Sequence, residues 1–545
     1  MPSTSRWKKF LSHASRSRSF LWKLAIGIIL SGVAIGCLIH HLRPSGPSRL
    51  AEHILGSIQI PDGYGPAAPA MDNLHASVLL ALDEELSAPG VHFSHLVQAL
   101  PPLAPLLGEN PGKTRRILEK HFSPDEALLA SDFIALHSGD SALQKSAEQR
   151  LKTLASGEAP PRFVHHLLGV HEQSQGNDQQ AAKHFIQEGR HPEAVASRAQ
   201  AVQSLIAGKK FTELDQLTRE DPRYAELISA SDRLEIAVAQ KDWRAILKWT
   251  PLSQIEIQHR GLLALTLITG LAWGFFLFHL GQTEKFFSST TALCVAGFIL
   301  GAVSTTPTIL AVIWQDDFLG FSRTGNSFQI LAYNVGGIGL REEVCKLLLF
   351  LPLLPFLLRR DDEREALLVA SFVGLGFAIE ENGSYFLGSQ GIDGPGRFLT
   401  ANFLHIVLTG MNGLALFRAC AHGGRGINEF LTVFPLTVLV HGLYDGLSDV
   451  PELMEIGGYL AITLYVVSSI LYFHRAYELR ENLRMTISLT GAFILGLSVV
   501  TAVVLIEQIS AIGPGPGLTR IVPEFIGVGV LILMFTRTFN EGLSE

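Results

Sequence analysis

The sequence of 545 residues contains few cysteines and few charged residues. Its four cysteines, Cys37, Cys294, Cys345 and Cys420, all fall inside apolar runs, so neither a disulfide framework nor a cysteine zinc cluster is expected. Charged residues make up 17% of the chain, whereas roughly 25% is usual for soluble domains. The net charge is -7 and the only basic cluster is near the N-terminus, so nucleic-acid binding is not expected.

Long apolar runs are abundant instead, and they predict an all-α, polytopic membrane protein of about ten spans. The first run, residues 19–42, follows the basic segment 1–18 and predicts a signal-anchor helix. About nine more spans are predicted within residues 259–545, each long enough to cross roughly 30 Å of hydrocarbon. Their approximate bounds are 262–281, 289–314, 330–358, 365–388, 398–419, 429–448, 457–474, 485–508 and 521–538.

The distribution of Lys and Arg between the loops predicts the orientation of the chain. With the N-terminus inside, the predicted outside loops between the later spans contain only Arg323, Arg397 and Arg520. The predicted inside loops contain nine basic residues: Lys285, Arg359, Arg360, Arg364, Arg418, Arg425, Arg475, Arg480 and Arg484. Since inside loops carry the excess of basic residues, both termini are expected in the cytoplasm. Residues 43–258 are then extracytoplasmic.

The segment 43–258 is richer in charge and has the pattern of a helical domain. Three stretches, 171–185, 203–217 and 235–249, align with a period of 32 residues, and Gly176, Gly208 and Gln240 coincide at a turn. The period is close to the roughly 34 residues of a tetratricopeptide helix pair. We therefore predict a tetratricopeptide-like domain that binds a protein partner; an ordinary helical bundle with a chance repeat is the alternative.

Ionisable residues lie deep inside four consecutive predicted spans, where they are costly and usually functional. They are Glu342, Glu343 and Lys346 in the fourth span, Glu381 in the fifth, His405 in the sixth, and His441 and Asp445 in the seventh. At about 1.5 Å per residue, these groups fall at nearly one depth in the outer half of the bilayer. This coincidence predicts a single polar cavity.

A cavity of carboxylates and histidines permits three chemistries, among which composition does not choose. A buried Glu could activate water as a general base. Carboxylates and imidazoles could instead hold a divalent metal such as zinc, which activates bound water. The same groups could also form the ion pathway of a transporter.

The order and spacing of these residues resemble the PrsW family of intramembrane proteases, which are related to CAAX prenyl-protein proteases and bacteriocin-processing membrane proteases. The motifs are Glu-Glu-x-x-Lys at 342–346, Phe-x-x-x-Glu-Asn at 377–382, a lone His405, and His-x-x-x-Asp at 441–445. They define a core of about residues 330–450. The resemblance implies hydrolysis of membrane-anchored protein substrates within the lipid bilayer, in the cytoplasmic membrane of a bacterium.

The resemblance also implies roles for individual residues. The catalytic set is Glu342, Glu343, Glu381, His405 and His441, supported by Lys346, Phe377, Asn382 and Asp445. Glu342 or Glu343 would be the general base, the histidines would position water or polarise the carbonyl, and Asn382 would stabilise the oxyanion. No cofactor is assigned, and the family is described both as glutamic-type and as metal-dependent. A bound metal would be held by Glu343, Glu381, His405 and His441.

Two other functions are compatible with the same residues. One is a transporter or ion pathway, although transporters usually contain repeated sets of spans and no convincing repeat is visible between the sets of spans. The other is a catalytically inactive membrane scaffold that binds proteins through the helical ectodomain. The complete motif set disfavours the scaffold, because an inactive relative would be expected to lose at least one motif.

The predicted topology can be tested by cysteine labelling of a variant without native cysteines. We expect Ser156→Cys, in the predicted extracytoplasmic segment, to react with a membrane-impermeant maleimide in intact cells. Arg359→Cys, in a predicted cytoplasmic loop, should react only after the membrane is opened, because the charged reagent cannot cross hydrocarbon. Labelling of both positions in intact cells, or the reverse pattern, would contradict the topology.

Overall fold

The computed structural model describes residues 3–42, 50–51, 54, 68–282, 288–480 and 487–539. Helix accounts for 83% of the structure and no strand is present in the described residues, which confirms the predicted all-α class. The chain divides into two compact units. The first comprises Met1–Gly36, Trp243–Gln508 and Leu518–Glu545, and the second comprises Cys37–Asp242 and Ile509–Gly517.

The chain begins with two helices, α1 (Ser3–Ala14) and α2 (Arg18–Leu42). In the described part of the second unit, eleven helices then follow: α3 (Ala68–Leu86), α4 (Phe93–Leu107), α5 (Pro111–His121), α6 (Pro124–Ala135), α7 (Ser141–Ala155), α8 (Val164–Ser174), α9 (Asp178–Gly189), α10 (Val195–Ala207), α11 (Phe211–Glu220), α12 (Pro222–Ala225) and α13 (Ala230–Ala239). The apolar faces of α3–α8 form one core around fully buried side chains such as Leu100, Phe133 and Leu167, and those of α9–α12 form a second core around Phe185.

Three similar inter-helix turns recur at intervals of 33 and 32 residues, close to the 32-residue period of the sequence, and they place Gly176 level with Lys209 and Lys241 rather than with Gly208 and Gln240. They join α8 to α9, α10 to α11, and α13 to the helix that begins at Trp243. Each contains one residue with positive φ, namely Gly176, Lys209 and Lys241. Each is closed by the same backbone hydrogen bond: Asn177 N–H donates to Glu172, Lys210 N–H to Leu205, and Asp242 N–H to Ala237. This is the bond of a Schellman helix ending; the tetratricopeptide-like assignment stays a prediction.

The helices from Trp243 onward contain most of the apolar sequence. They are α14 (Trp243–Arg260), α15 (Leu263–Leu280), α16 (Ser289–Val303), α17 (Thr305–Ile313), α18 (Ser327–Ala332), α19 (Leu340–Phe350), α20 (Leu354–Leu358), α21 (Glu363–Ser389), α22 (Gly394–Leu399), α23 (Ala401–His422), α24 (Gly424–Gly446), α25 (Gly457–Glu478), α26 (Leu489–Ile512) and α27 (Pro514–Thr538). Two π-helices, Trp314–Phe318 and Tyr333–Gly339, and two 3₁₀ turns, Leu351–Leu353 and Pro451–Leu453, complete the described elements.

Eight helices of the described residues are long and apolar enough to cross a membrane, or nine if the bent pair Pro514–Glu524 and Val528–Thr538 forms one span. The predicted fourth span, 330–358, is not among them. Its path is divided into α18, a π-helix, α19, a 3₁₀ turn and α20, and it carries four charged residues at 341–346. The count of about ten spans and the signal anchor therefore stay predictions.

Glycine allows the motif-bearing helices to approach one another closely. A Cβ atom on Gly374 of α21 would lie 2.2 Å from the carbonyl oxygen of His405 in α23. A Cβ atom on Gly442 of α24 would lie 2.3 Å from the Cα atom of Val335 in the second π-helix. Both distances are shorter than any side chain tolerates, so these glycines set the spacing of the helices that carry the predicted site.

Gly374→Ala should therefore lower stability, because the added methyl group forces α23 and His405 away from α21. We expect a loss of about 1–3 kcal/mol, the usual cost of overpacking, measured as a lower unfolding temperature in detergent. The matched control is Gly388→Ala in the same helix, since no atom lies within 4 Å of a Cβ atom there. Equal unfolding temperatures for the two variants would contradict the close-approach explanation.

Candidate active site

The first motif lies on α19, where helical spacing brings its charged groups together. Glu343 and Lys346 are three residues apart, and Lys346 Nζ lies 2.9 Å from Glu343 Oε1. Glu342 and Lys346 are four residues apart, and the corresponding distance is 3.4 Å. Lys346 and Glu343 are completely buried, whereas Glu342 is 8% exposed. The ammonium therefore compensates two carboxylates that burial would otherwise destabilise.

The second and third motifs meet at His405. Its Nδ1 atom lies 2.9 Å from Lys346 Nζ, and its Nε2 atom lies 3.2 Å from Glu381 Oε2. Because an ammonium can only donate, Nδ1 accepts from Lys346 and Nε2–H donates to Glu381. Phe377 packs beside this pair, with Lys346 Nζ 4.0 Å from the centre of its ring. The predicted supporting residues Phe377 and Lys346 are thus both in contact with His405.

Only the second carboxylate of the Glu380–Glu381 pair belongs to this group. Glu380 points to a different side of α21, where Gln258 Nε2 donates to its Oε2 at 2.8 Å and Gln254 Nε2 donates to its Oε1 at 3.3 Å. Successive helical residues are about 100° apart around the axis, so the two carboxylates cannot face the same partner.

The last motif lies on α24 and completes the cluster. His441 Nδ1 is 3.0 Å from Glu343 Oε1, and its Nε2 is 3.4 Å from Glu342 Oε2. Asp445 Oδ2 lies 3.5 Å from the same Nε2 atom. The rings of His441 and His405 are 5.2 Å apart between their centres. The structure therefore brings together groups from all four motifs.

Two residues absent from the predicted set hold Glu343 in place. Asn412 Nδ2 donates to Glu343 Oε2 at 3.0 Å, and Thr437 Oγ1 donates to Asn412 Oδ1 at 2.7 Å. Both are fully or nearly fully buried. Their spacing could have revealed them, because Asn412 follows His405 by seven residues and Thr437 precedes His441 by four, which places each on the motif face of its helix.

These residues surround a cavity of about 380 Å³. The predicted site residues that line it are Glu342, Glu381, His405, His441 and Asp445. Glu343 and Lys346 lie behind this lining, as does Asn382, which has no exposed surface. The side chains of Tyr385, Arg397, Tyr444 and Arg323 also line the cavity and were not in the predicted set.

Arg397 is the most firmly held of the additional residues. Its Nη2 donates to Glu381 Oε2 at 2.8 Å, its Nε donates to Asn382 Oδ1 at 2.8 Å, and its guanidinium carbon lies 3.6 Å from the centre of the Tyr385 ring. Charge patterning assigned Arg397 to an outside loop. The structure places it on the short helix α22, which precedes α23, and no sequence motif marks it.

The donor atoms of the cluster fit a divalent metal in number and type. Among the described residues, one group could hold an ion: Glu342, His405 and His441, whose ligating atoms all lie within 4.8 Å of one another. One carboxylate and two imidazoles are a common zinc donor set. Binding through His405 would require one ring nitrogen to be freed, since Nδ1 faces Lys346 and Nε2 faces Glu381.

This group has Glu342 in place of the two predicted carboxylate ligands, Glu343 and Glu381. Glu343 accepts hydrogen bonds from Lys346, His441 and Asn412, so its oxygen atoms are already occupied. If His441 held the ion through Nε2, Glu343 would orient its imidazole through Nδ1, a recurrent arrangement in metal sites. Glu381 is engaged by Arg397 and His405.

Comparison with known families supports one of the classes of protein that the motifs permit. Residues 289–473 match the PrsW family of intramembrane metalloproteases. The matched segment contains all four motifs. The match extends beyond the predicted core of about 330–450 at both ends, and it confirms the resemblance and the integral membrane location. No curated protein and no solved structure matches the chain.

Charge compensation by Lys346 can be tested by removing the ammonium. Lys346→Met should lower the free energy of unfolding by about 3–5 kcal/mol, because buried carboxylates lose their cation. Lys346→Met/Glu343→Gln should recover part of this loss, since one carboxylate is then neutral. Unfolding in detergent, with Arg359→Met as an exposed control, provides the measurement. A single Lys346→Met variant as stable as the wild type would contradict the compensation.

Proposed function

We propose that the chain is an intramembrane protease that hydrolyses peptide bonds of membrane-anchored protein substrates. The observation that carries this proposal is the convergence of Glu342, His405 and His441 on one cavity within a PrsW-family domain. Carboxylate and imidazole groups at this spacing can hold and deprotonate a water molecule. The similarity to the family indicates peptide-bond hydrolysis as the reaction, and the cavity contains the carboxylate and imidazole groups that this reaction needs.

Glu342 is the general base in this proposal. It is the first-motif carboxylate that lines the cavity, whereas Glu343 is completely buried and accepts three hydrogen bonds from side chains. Glu342 would accept a proton as water adds to the substrate carbonyl, and would return it to the amine that leaves. Glu343 would orient His441, whose Nε2 atom faces Glu342.

The Glu381–His405 pair has a supporting role in the same reaction. Lys346 fixes His405 Nδ1 as an acceptor, so Nε2–H is the ring group directed to Glu381. Glu381 is in turn paired with Arg397 and is therefore less suited to act as the base. Asp445 Oδ2 lies 3.5 Å from His441 Nε2. Its negative charge would favour the protonated imidazole of His441 while water adds to the substrate carbonyl.

A metal-dependent form of the same reaction is supported by the three-residue group and by the family. Glu342, His405 and His441 would hold the ion, and a divalent ion would supply a water molecule of lowered pKa. The two forms differ in one measurable property, which is the response of cleavage to a chelator.

We also propose that residues 43–258 lie outside the cytoplasm and capture the exported part of the substrate. This proposal is supported by the loop charges of the sequence and by the repeated helical turns. It implies a bacterial cytoplasmic membrane location with both termini inside. Removal of residues 50–250 should reduce cleavage of a native substrate more than cleavage of a short transmembrane peptide, because the peptide has no exported part to capture.

The protease proposal can be tested with the purified protein and a panel of single-span substrates. Glu342→Gln should lower kcat by about 10²–10⁴-fold, the usual contribution of a general base, and His441→Ala should lower it comparably. Glu343→Gln should also lower kcat, through loss of His441 orientation. The exposed control Arg359→Gln should cleave as the wild type does, and gel or mass-spectrometric detection of products gives the rates.

Parallel reactions with a chelator separate the two forms of the mechanism. Cleavage that survives the chelator but is lost in Glu342→Gln supports the metal-independent form. Cleavage that the chelator abolishes and added zinc restores supports the metal-dependent form. If no substrate is cleaved, while the wild type moves ions into liposomes and Glu342→Gln does not, the protease proposal is wrong and a transporter takes its place.

A further inference from the structure

Peptide hydrolysis requires a hydrogen-bond donor for the oxyanion that forms on the scissile carbonyl, and the sequence motifs suggested Asn382. The side chain of Asn382 has no exposed surface, and it does not line the cavity. Its Oδ1 atom accepts a hydrogen bond from Arg397, and its Nδ2 atom is buried. The amide donor of Asn382 is therefore not available to a substrate in the cavity.

Arg397 occupies the place between Asn382 and the cavity. Its side chain is 12% exposed and lines the cavity together with Glu342, His405 and His441. Glu381 engages Nη2 and Asn382 engages Nε at 2.8 Å each. No described residue accepts a hydrogen bond from Nη1, so this amino group is the part of the guanidinium that remains available.

The orientation of the guanidinium is fixed before any substrate binds. Two hydrogen bonds hold one edge of the group, and the ring of Tyr385 lies against its face at 3.6 Å. Stacking on an aromatic ring and bidentate contacts are arrangements that an Arg makes and a Lys cannot reproduce. A donor that is oriented in advance stabilises developing charge without reorganisation.

We propose that Arg397 is a catalytic residue that donates from Nη1 to the scissile carbonyl oxygen, with Asn382 as the positioning residue behind it. The inference rests on the proposed protease function. As water adds to the carbonyl carbon, Glu342 takes one water proton and the carbonyl π electrons move to oxygen. Arg397 stabilises this oxyanion until the C–N bond breaks, the carbonyl re-forms, and the amine leaves with the proton from Glu342.

The test measures kcat and KM of the full-length protein on a cleavable single-span peptide. Arg397→Lys and Arg397→Ala should lower kcat by about 10²–10³-fold, as expected for an oxyanion donor, and should leave KM within about threefold. Asn382→Ala should lower kcat by about tenfold, since the guanidinium loses one of two anchors. The control is Arg359→Lys, an exposed arginine outside the cavity, which should match the wild type.

Chemical rescue distinguishes catalysis from a structural role. Methylguanidinium should raise the kcat of Arg397→Ala at least about tenfold by restoring the donor, but should leave Glu342→Gln inactive; sodium chloride at equal ionic strength controls for salt. If Arg397→Ala does not fold, the kcat and KM values of Arg397→Lys and Asn382→Ala test the catalytic role of Arg397 without the rescue experiment.

The inference is overturned if Arg397→Lys keeps the wild-type kcat, if the loss is carried by KM alone, or if folded Arg397→Ala is not rescued. A wild type that cleaves, with Glu342→Gln inactive and Arg397→Lys fully active, removes only this inference. A wild type that cleaves no substrate but moves ions into liposomes, while Glu342→Gln does not, removes the proposed function and this inference together.

Discussion

The ammonium of Lys346 is the interaction on which the arrangement of the site depends. It donates to Glu343 and His405, lies near Glu342, and rests against the ring of Phe377. These contacts connect α19, α21 and α23 in the apolar interior. A buried charge is tolerated only when it is paired and hydrogen-bonded, so this one group allows two neighbouring glutamates to persist beside a histidine.

The two carboxylates that Lys346 compensates, those of Glu342 and Glu343, have different surroundings, and we infer different roles for them. Glu343 has its oxygen atoms occupied by Lys346, His441 and Asn412, which suits an orienting group. Glu342 faces the cavity and has longer contacts, of 3.4 Å, to the ammonium and to His441, which suits a proton acceptor. Chemically identical side chains next to each other can thus divide support and chemistry between them.

Helical periodicity predicted which residues share a face of one helix. It did not predict the positions of residues that lie between the long helices. The i, i+4 spacing of His441 and Asp445 places both side chains in one cavity. Three turns closed by the same backbone hydrogen bond recur close to the 32-residue period. The sequence analysis did not identify Arg397 as a site residue, because it assigned this residue to a loop. In the structure, α22 places the Arg397 side chain in the cavity. The sequence could not predict whether the Asn382 amide faces the cavity. Helical phase gives the face on which a residue lies, but it does not show that Arg397 lies between Asn382 and the cavity.

If the protein is the proposed protease, a substrate peptide bond must reach the cavity bounded by Glu342, His405 and His441. This can be measured by photo-crosslinking of the Glu342→Gln variant with a single-span substrate that carries a photoreactive residue at the cleavage position. We expect adducts on cavity-lining residues such as Tyr385 and Tyr444, located by mass spectrometry and suppressed by excess unlabelled substrate. Adducts confined to other surfaces, with the same substrate cleaved by the wild type, would show that this cavity is not the site of cleavage.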